Sequence, residues 1–307
     1  MGVRTLTAPK PRQEPQAGKQ SLLTPVIIIL VGVLVLLYPV IATQWNNVRQ
    51  HHVANEYAQM QQSEPEDVLR KVYDSAVVYN HTHTKGPILD PWLTRIGTDN
   101  PEYQRYTAEL NNFPVMARLI VPTGKIDLPV YHGTSDDVLQ KGVGHLFGTD
   151  LPVGGEGTHA VLTGHTGLTS ATLFDHLKDV KVGDAIYVQV SGEKLKYQVD
   201  ATEVVLPDET DSLKTRQGED LLTLITCTPY GINSHRLMVH SHRVPMDADT
   251  DVFEKTATPV QWWMWALVGA AALIVLALAW WLLRRRKQQD AKEEIVEEER
   301  KQWPRES

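Results

Sequence analysis

The 307-residue chain contains a single cysteine, Cys227. One cysteine excludes an intramolecular disulfide framework, and a lone thiol outside the membrane is exposed to oxidation unless it is buried or used. The chain also lacks an excess of basic residues: its formal charge is −7 and no groove-like basic run occurs, which argues against nucleic-acid binding. Hydrophobic residues make up 42% and charged residues 22%, too polar for a multi-span membrane protein and too apolar for a disordered one. No stretch gathers His, Asp, Glu or Cys at the spacing of a metal site, so no metal and no cofactor are expected.

Two long apolar runs are present. Residues 22–42 are almost continuously apolar and long enough to cross a hydrocarbon core. Arg4, Lys10, Arg12 and Lys19 precede this run, and no cleavage motif follows it, so it reads as a retained anchor with a cytoplasmic N-terminus. Residues 262–283 form the second run, bracketed by tryptophans and followed at once by Arg284, Arg285, Arg286 and Lys287. Aromatic ends and a basic stop place this terminus in the cytoplasm too. The expected plan is a two-pass plasma-membrane protein: tail 1–21, transmembrane helix 22–42, a helical region with a loop at 43–112, a β domain at 113–245, a linker at 246–261, a transmembrane helix at 262–283 and a tail at 284–307. The middle lies outside the cell.

Between Asn46 and Tyr79 the spaced apolar residues predict two helices, the second opening at Pro65. A short helix is expected over Pro101–Asn111 and one helical turn over Leu173–Leu177. From Phe113 onward, short apolar and β-branched runs alternate with turn signals. Strands are predicted at 117–121, 128–131, 160–163, 185–190, 196–205, 221–226 and 236–240, in a closed barrel or sandwich of about 130 residues.

The chemistry concentrates in Leu221–His242, LLTLITCTPYGINSHRLMVHSH. Cys227 ends one strand pattern; Pro229, Gly231 and Asn233 break it; Arg236 starts the next. A cysteine nucleophile needs a proton-transfer partner. Of twelve histidines, His165 is best placed, at the end of a strand between Gly164 and Gly167, where rigid backbone meets a loop. Arginine stays protonated and suits a developing oxyanion. Taken singly, Cys227 could equally be a core thiol, His165 a turn residue and Arg236 a surface ion pair.

Taken together, the segments TLITCTPYGINSHRLMV and HLFGTDLPVGGEGTHAVLTGHTGL resemble those of the class C sortases, pilus-assembling cysteine transpeptidases of Gram-positive bacteria. The resemblance runs from about Tyr73 to Val244 and includes the loop Asp90-Pro91-Trp92, similar to the lid of that class. Two departures are Thr166 and His240, where many relatives carry a basic residue. The resemblance implies a mainly β, sortase-type closed β-barrel with N-terminal helices and a lid loop, flanked by two transmembrane helices. It implies Cys227 as nucleophile on the Thr–Gly carbonyl of an LPxTG-type signal, His165 as general acid and then base, and Arg236 at the oxyanion. Trp92 would cover Cys227 and Asp90 would pair with Arg236. LPxTG-bearing pilins or surface proteins are the implied partners, with a pilin lysine as acceptor. A housekeeping sortase using a peptidoglycan-precursor amine is the alternative, and a non-catalytic membrane-tethered scaffold is the alternative of another class.

Overall fold

The computed structural model describes residues 22–83, 90, 99–247, 251–254 and 260–302. They divide into a unit spanning Tyr38–Met264 and a second unit made of the two terminal segments. Two helices, α1 (Leu23–Ser63) and α5 (Trp262–Gln302), are long and apolar enough to cross a membrane. On α5, Arg284 lies 5.2 Å from the ring of Trp280 and Arg285 lies 4.4 Å from that of Trp281, so the apolar run closes in cation–π pairs.

The first of the two predicted juxtamembrane helices is not separate. α1 continues without a break through Pro39 to Ser63, and only Pro65 interrupts it before α2 (Glu66–Thr82). Beyond the apolar run, α1 buries Thr43, Asn47, Gln50, Ala54, Tyr57 and Gln61 at spacings of three or four, one helical stripe. This stripe is mostly polar, and it is held by hydrogen bonds. Tyr57 donates to the Met116 carbonyl at 2.9 Å and accepts from the Ser191 N–H at 3.2 Å. α3 (Pro101–Ala108) is capped by Asn100, whose side chain accepts from the N–H groups of Glu102 and Tyr103. It ends earlier than predicted because Leu110 turns to positive φ.

Eight strands close into a barrel: β1 (Ala117–Val121), β2 (Ile126–His132), β3 (Val143–His145), β4 (Thr158–Thr163), β5 (Ala185–Val190), β6 (Glu193–Val205), β7 (Asp220–Thr228) and β8 (His235–Val244). Their order around the barrel is β1-β2-β3-β4-β7-β8-β6-β5. The β2–β3 and β4–β7 pairs are parallel and the others antiparallel. Closure leaves no sheet edge for another chain to pair with. β3 and the short helix α4 (Asp136–Lys141) have no counterpart among the predicted elements: three residues containing a glycine carry no readable strand period.

Period-two alternation sorts β7 into two faces. Leu222 and Leu224 belong to the barrel core with Leu119, Val130, Leu162, Val188 and Val239. Ile225 belongs instead to an outer cluster with Leu146, Val161, Leu213 and Met238. Cys227, two residues on from Ile225, falls on that outer face.

Two buried histidines are held neutral. His145 is fully buried, with Nε2 2.8 Å from the Asp150 carbonyl and Nδ1 2.9 Å from the Tyr106 hydroxyl. Burial lowers its pKa from 6.5 to about 3. Burial likewise lowers that of His159 to about 4. Unfolding returns both to the ordinary value, so below pH 6.5 the unfolded chain binds more protons than the folded one. Their stabilising contribution is complete above that pH and is lost as pH falls from 6.5 toward 4. A thermal-unfolding series should show a falling Tm across this window, and His159→Gln should make the fall shallower; a flat series would contradict the assignment.

Candidate active site

The site is built on three adjacent strands. β7 and β8 pair in a register that sets Cys227 directly opposite Arg236. β4 runs parallel to β7 with Thr163 opposite Ile225. Continuing that register by two residues brings His165 level with Cys227. The continuation is real hydrogen bonding: the Gly164 N–H and the Thr163 hydroxyl both donate to the Ile225 carbonyl at 3.1 Å, and the Thr226 hydroxyl donates to the Gly164 carbonyl at 2.7 Å. Gly164 is required by space, since a Cβ there would lie 2.9 Å from the Phe174 ring.

Beyond Gly164 the backbone is tied down on its far side. The Phe174 N–H donates to the His165 carbonyl at 3.0 Å. The Asp175 carboxylate accepts from the Thr166 hydroxyl at 3.0 Å and from the Gly167 N–H at 2.8 Å. The predicted helical turn at Leu173–Leu177 appears later, as a short 3-10 helix at Leu177–Asp179, because Leu173 takes a positive φ of 40°. Burial lowers the His165 pKa below the ordinary histidine range, so its ring is neutral at pH 7.

Arg236 is 5% exposed, and a buried guanidinium needs a counter-charge. Asp90 answers it: Nε donates to Oδ2 at 2.6 Å and Nη2 to Oδ1 at 3.2 Å, a two-point pair in which both side chains are buried. Nη1 donates to the carbonyls of Asn233 and His235 at 3.1 Å each. Pro91 and Trp92, the remaining residues of the expected lid, lie outside the described residues. His235 pairs in register with Thr228, and its Nδ1 lies 2.8 Å from the Ser234 hydroxyl. His240 lies between Thr223 and Glu203, at 2.9 Å from each.

Cys227 is 8% exposed. Burial pushes its thiol pKa up; the Arg236 charge pulls it down and the Asp90 charge pushes it up again. With Asp90 in place the thiol is therefore protonated at pH 7 beside a neutral His165. Among the described residues no group of three or more His, Cys, Asp or Glu side chains is placed to hold a metal ion.

A sortase-domain family model matches residues 119–244, which contain Cys227, His165 and Arg236. The crystal structure of sortase C-1 from Actinomyces oris is 55% identical, covering 59% of this chain and 99% of that one at a TM-score of 0.57. The chain belongs to the sortase family. Sortase A from Corynebacterium diphtheriae, also solved as a lid mutant, is 48% identical over 67% of this chain and 98% of that one, at a TM-score of 0.59. Sortase C from Streptococcus pneumoniae is 38% identical over 64% of this chain and 99% of that one, also at 0.59. The class C resemblance read from the sequence thus holds against solved class C sortases. By contrast, the chain spans 53% of the curated Sortase A of Streptococcus agalactiae, at 28% identity.

Three residues that shape this sortase site carry no motif: Asp175, Phe174 and Thr172, all in the loop after His165. Their roles are backbone hydrogen bonds and ring packing, and only the ThrGlyHisThrGly segment marks in sequence where such a loop begins.

Replacing Asp90 with alanine removes the charge that opposes thiol ionisation and leaves that of Arg236 unneutralised. The pH midpoint of Cys227 alkylation by iodoacetamide should move down in Asp90→Ala relative to the parent chain. An unchanged or raised midpoint would show that the pair does not control the thiol.

Proposed function

We propose that this sortase is a cysteine transpeptidase that cleaves LPxTG-type sorting signals between Thr and Gly and joins the acyl fragment to a pilin lysine. The observation that carries the reading is the cross-strand pairing of the only cysteine with a buried arginine, on a domain 55% identical to a class C sortase. The pneumococcal Sortase C structure was described for its pilin substrate specificity, which supports a pilin as substrate here.

In the proposed mechanism Asp90 first withdraws from Arg236. The freed guanidinium then offers its donors to the scissile carbonyl and to the oxyanion it becomes. The thiol proton passes to His165 as sulfur attacks the carbonyl carbon of the Thr–Gly bond. Collapse of the tetrahedral adduct breaks the C–N bond, and the imidazolium returns its proton to the departing glycine amine. A thioester on Cys227 remains. A lysine amine then attacks it, His165 accepts the amine proton, and the thiol is regenerated as the isopeptide forms. Because burial holds His165 neutral, it is ready as a base before each attack.

The membrane arrangement completes the proposal. The two helices long and apolar enough to cross a membrane stand on either side of the domain in sequence. With basic residues at 4–19 and 284–287, both termini lie in the cytoplasm and the barrel faces outward, where secreted substrates emerge.

Cys227→Ala should reduce cleavage of an LPxTG peptide to background while leaving the circular-dichroism spectrum unchanged. Arg236→Lys should lower kcat by about 10²-fold, since a lysine lacks the paired donors. Turnover retained by Cys227→Ala would sink the mechanism. Supplying a pilin lysine or a peptidoglycan cross-bridge amine and weighing the products separates pilus assembly from wall attachment.

A further inference from the structure

The stretch of α1 just past its apolar run is bonded to the loop after His165. Asn47 and Thr172 bond reciprocally: the Asn47 amide donates to the Thr172 hydroxyl at 2.8 Å, and the Thr172 N–H donates to the Asn47 carbonyl oxygen at 3.0 Å. Both residues are buried. Beside Asn47, Asn46 donates to the Ser170 carbonyl at 2.8 Å, and one turn earlier Thr43 donates to the Thr169 carbonyl at 3.1 Å. Four bonds from one helix thus hold the loop between residues 169 and 172.

The segment after Thr172 connects this clamp to the site. Leu173 stands at φ 40°, a left-handed conformation that a leucine leaves unless its surroundings hold it. The kink lets Leu173 and Phe174 both enter the core, and it aims the Phe174 N–H at the His165 carbonyl. Asp175, bonded through its N–H to the Thr172 carbonyl at 2.9 Å, reaches back to Thr166 and Gly167, the two residues that follow the histidine. The backbone that leaves His165, from its own carbonyl to Gly167, is therefore referred, through one or two bonds, to Thr172 and so to Asn47.

We propose that Asn47 is a positioning residue for His165, so that the juxtamembrane helix is part of the catalytic machinery and not a tether alone. This rests on the reading of His165 as the proton-transfer group. Asn47 touches neither substrate nor thiol; it holds the strained loop in the geometry that presents the imidazole.

The test uses the full-length chain in detergent, carrying Asp90→Ala in every arm so that Arg236 is uncovered. LPxTG-peptide cleavage is normalised to the titrated Cys227 thiol. Asn47→Ala should lower kcat by about ten- to a hundredfold, the scale of a small misplacement of a reacting group, with KM within about twofold. Thr172→Val, which loses the hydroxyl at constant shape, should lower kcat in the same direction, and Thr172→Ser should restore it. Where Asn47→Ala does not fold, the valine and serine pair decides. Parental kcat in Asn47→Ala and Thr172→Val, or a change confined to KM, with His165→Ala inactive, would overturn the proposal and leave the role of His165 standing. Turnover retained by His165→Ala would remove the reading on which both depend.

Discussion

A guanidinium buried in a protein needs a counter-charge, and the site is organised by how that need is met. The strand register places Arg236 opposite Cys227 on the outer face of the barrel, where it is nonetheless buried. Asp90, from a segment far away in sequence, supplies the charge through hydrogen bonds of 2.6 and 3.2 Å. Leaving one member of a buried pair without its partner costs about 3–5 kcal/mol. In the proposed mechanism Asp90 is thus held at the arginine until a carbonyl dipole and a developing oxyanion serve the guanidinium instead. The same pair bears on the thiol: burial raises its pKa most, Arg236 lowers it and Asp90 raises it. One ion pair therefore couples access, oxyanion binding and nucleophile ionisation in the proposed mechanism.

The barrel supplies rigidity to this arrangement. Antiparallel pairing of β7 with β8 sets Cys227 opposite Arg236, and parallel pairing of β4 with β7, extended by the Thr163 and Thr226 hydroxyls, carries the backbone up to His165. The outer face of these strands carries an apolar row, Val161, Ile225 and Met238, beneath the level of Cys227 and Arg236, with Leu213 from the β6–β7 connection packed on it. The strands do not fix the loop after His165. That task falls to Phe174 and Asp175 and, in the positioning role proposed for it, to Asn47 on α1.

Much of this was legible in the residues. β1 and β5 begin and end where apolar and β-branched runs begin and end, because turn residues stop them sharply. Cys227 and Arg236 could be placed on neighbouring strands from the Pro-Tyr-Gly-Ile-Asn break between them, and Asp90 could be matched to Arg236 through the family resemblance. β3 escaped because three residues show no period. The continuity of α1 escaped because a change from apolar to polar composition resembles a boundary, although a helix can change solvent without changing conformation. The Asn47–Thr172 bond escaped for a different reason: two polar residues separated by 125 positions have no signature until the fold brings them together.

The central claim is that Cys227 becomes acylated once Asp90 releases Arg236. The most direct measurement is the intact mass of the full-length chain after incubation with an LPxTG peptide, with subsequent mapping of any adduct. The account predicts an acyl adduct on Cys227, more abundant in Asp90→Ala than in the parent chain and discharged by an added amine. A chain that cleaves the peptide with no adduct on Cys227, or with the adduct on another residue, would contradict it.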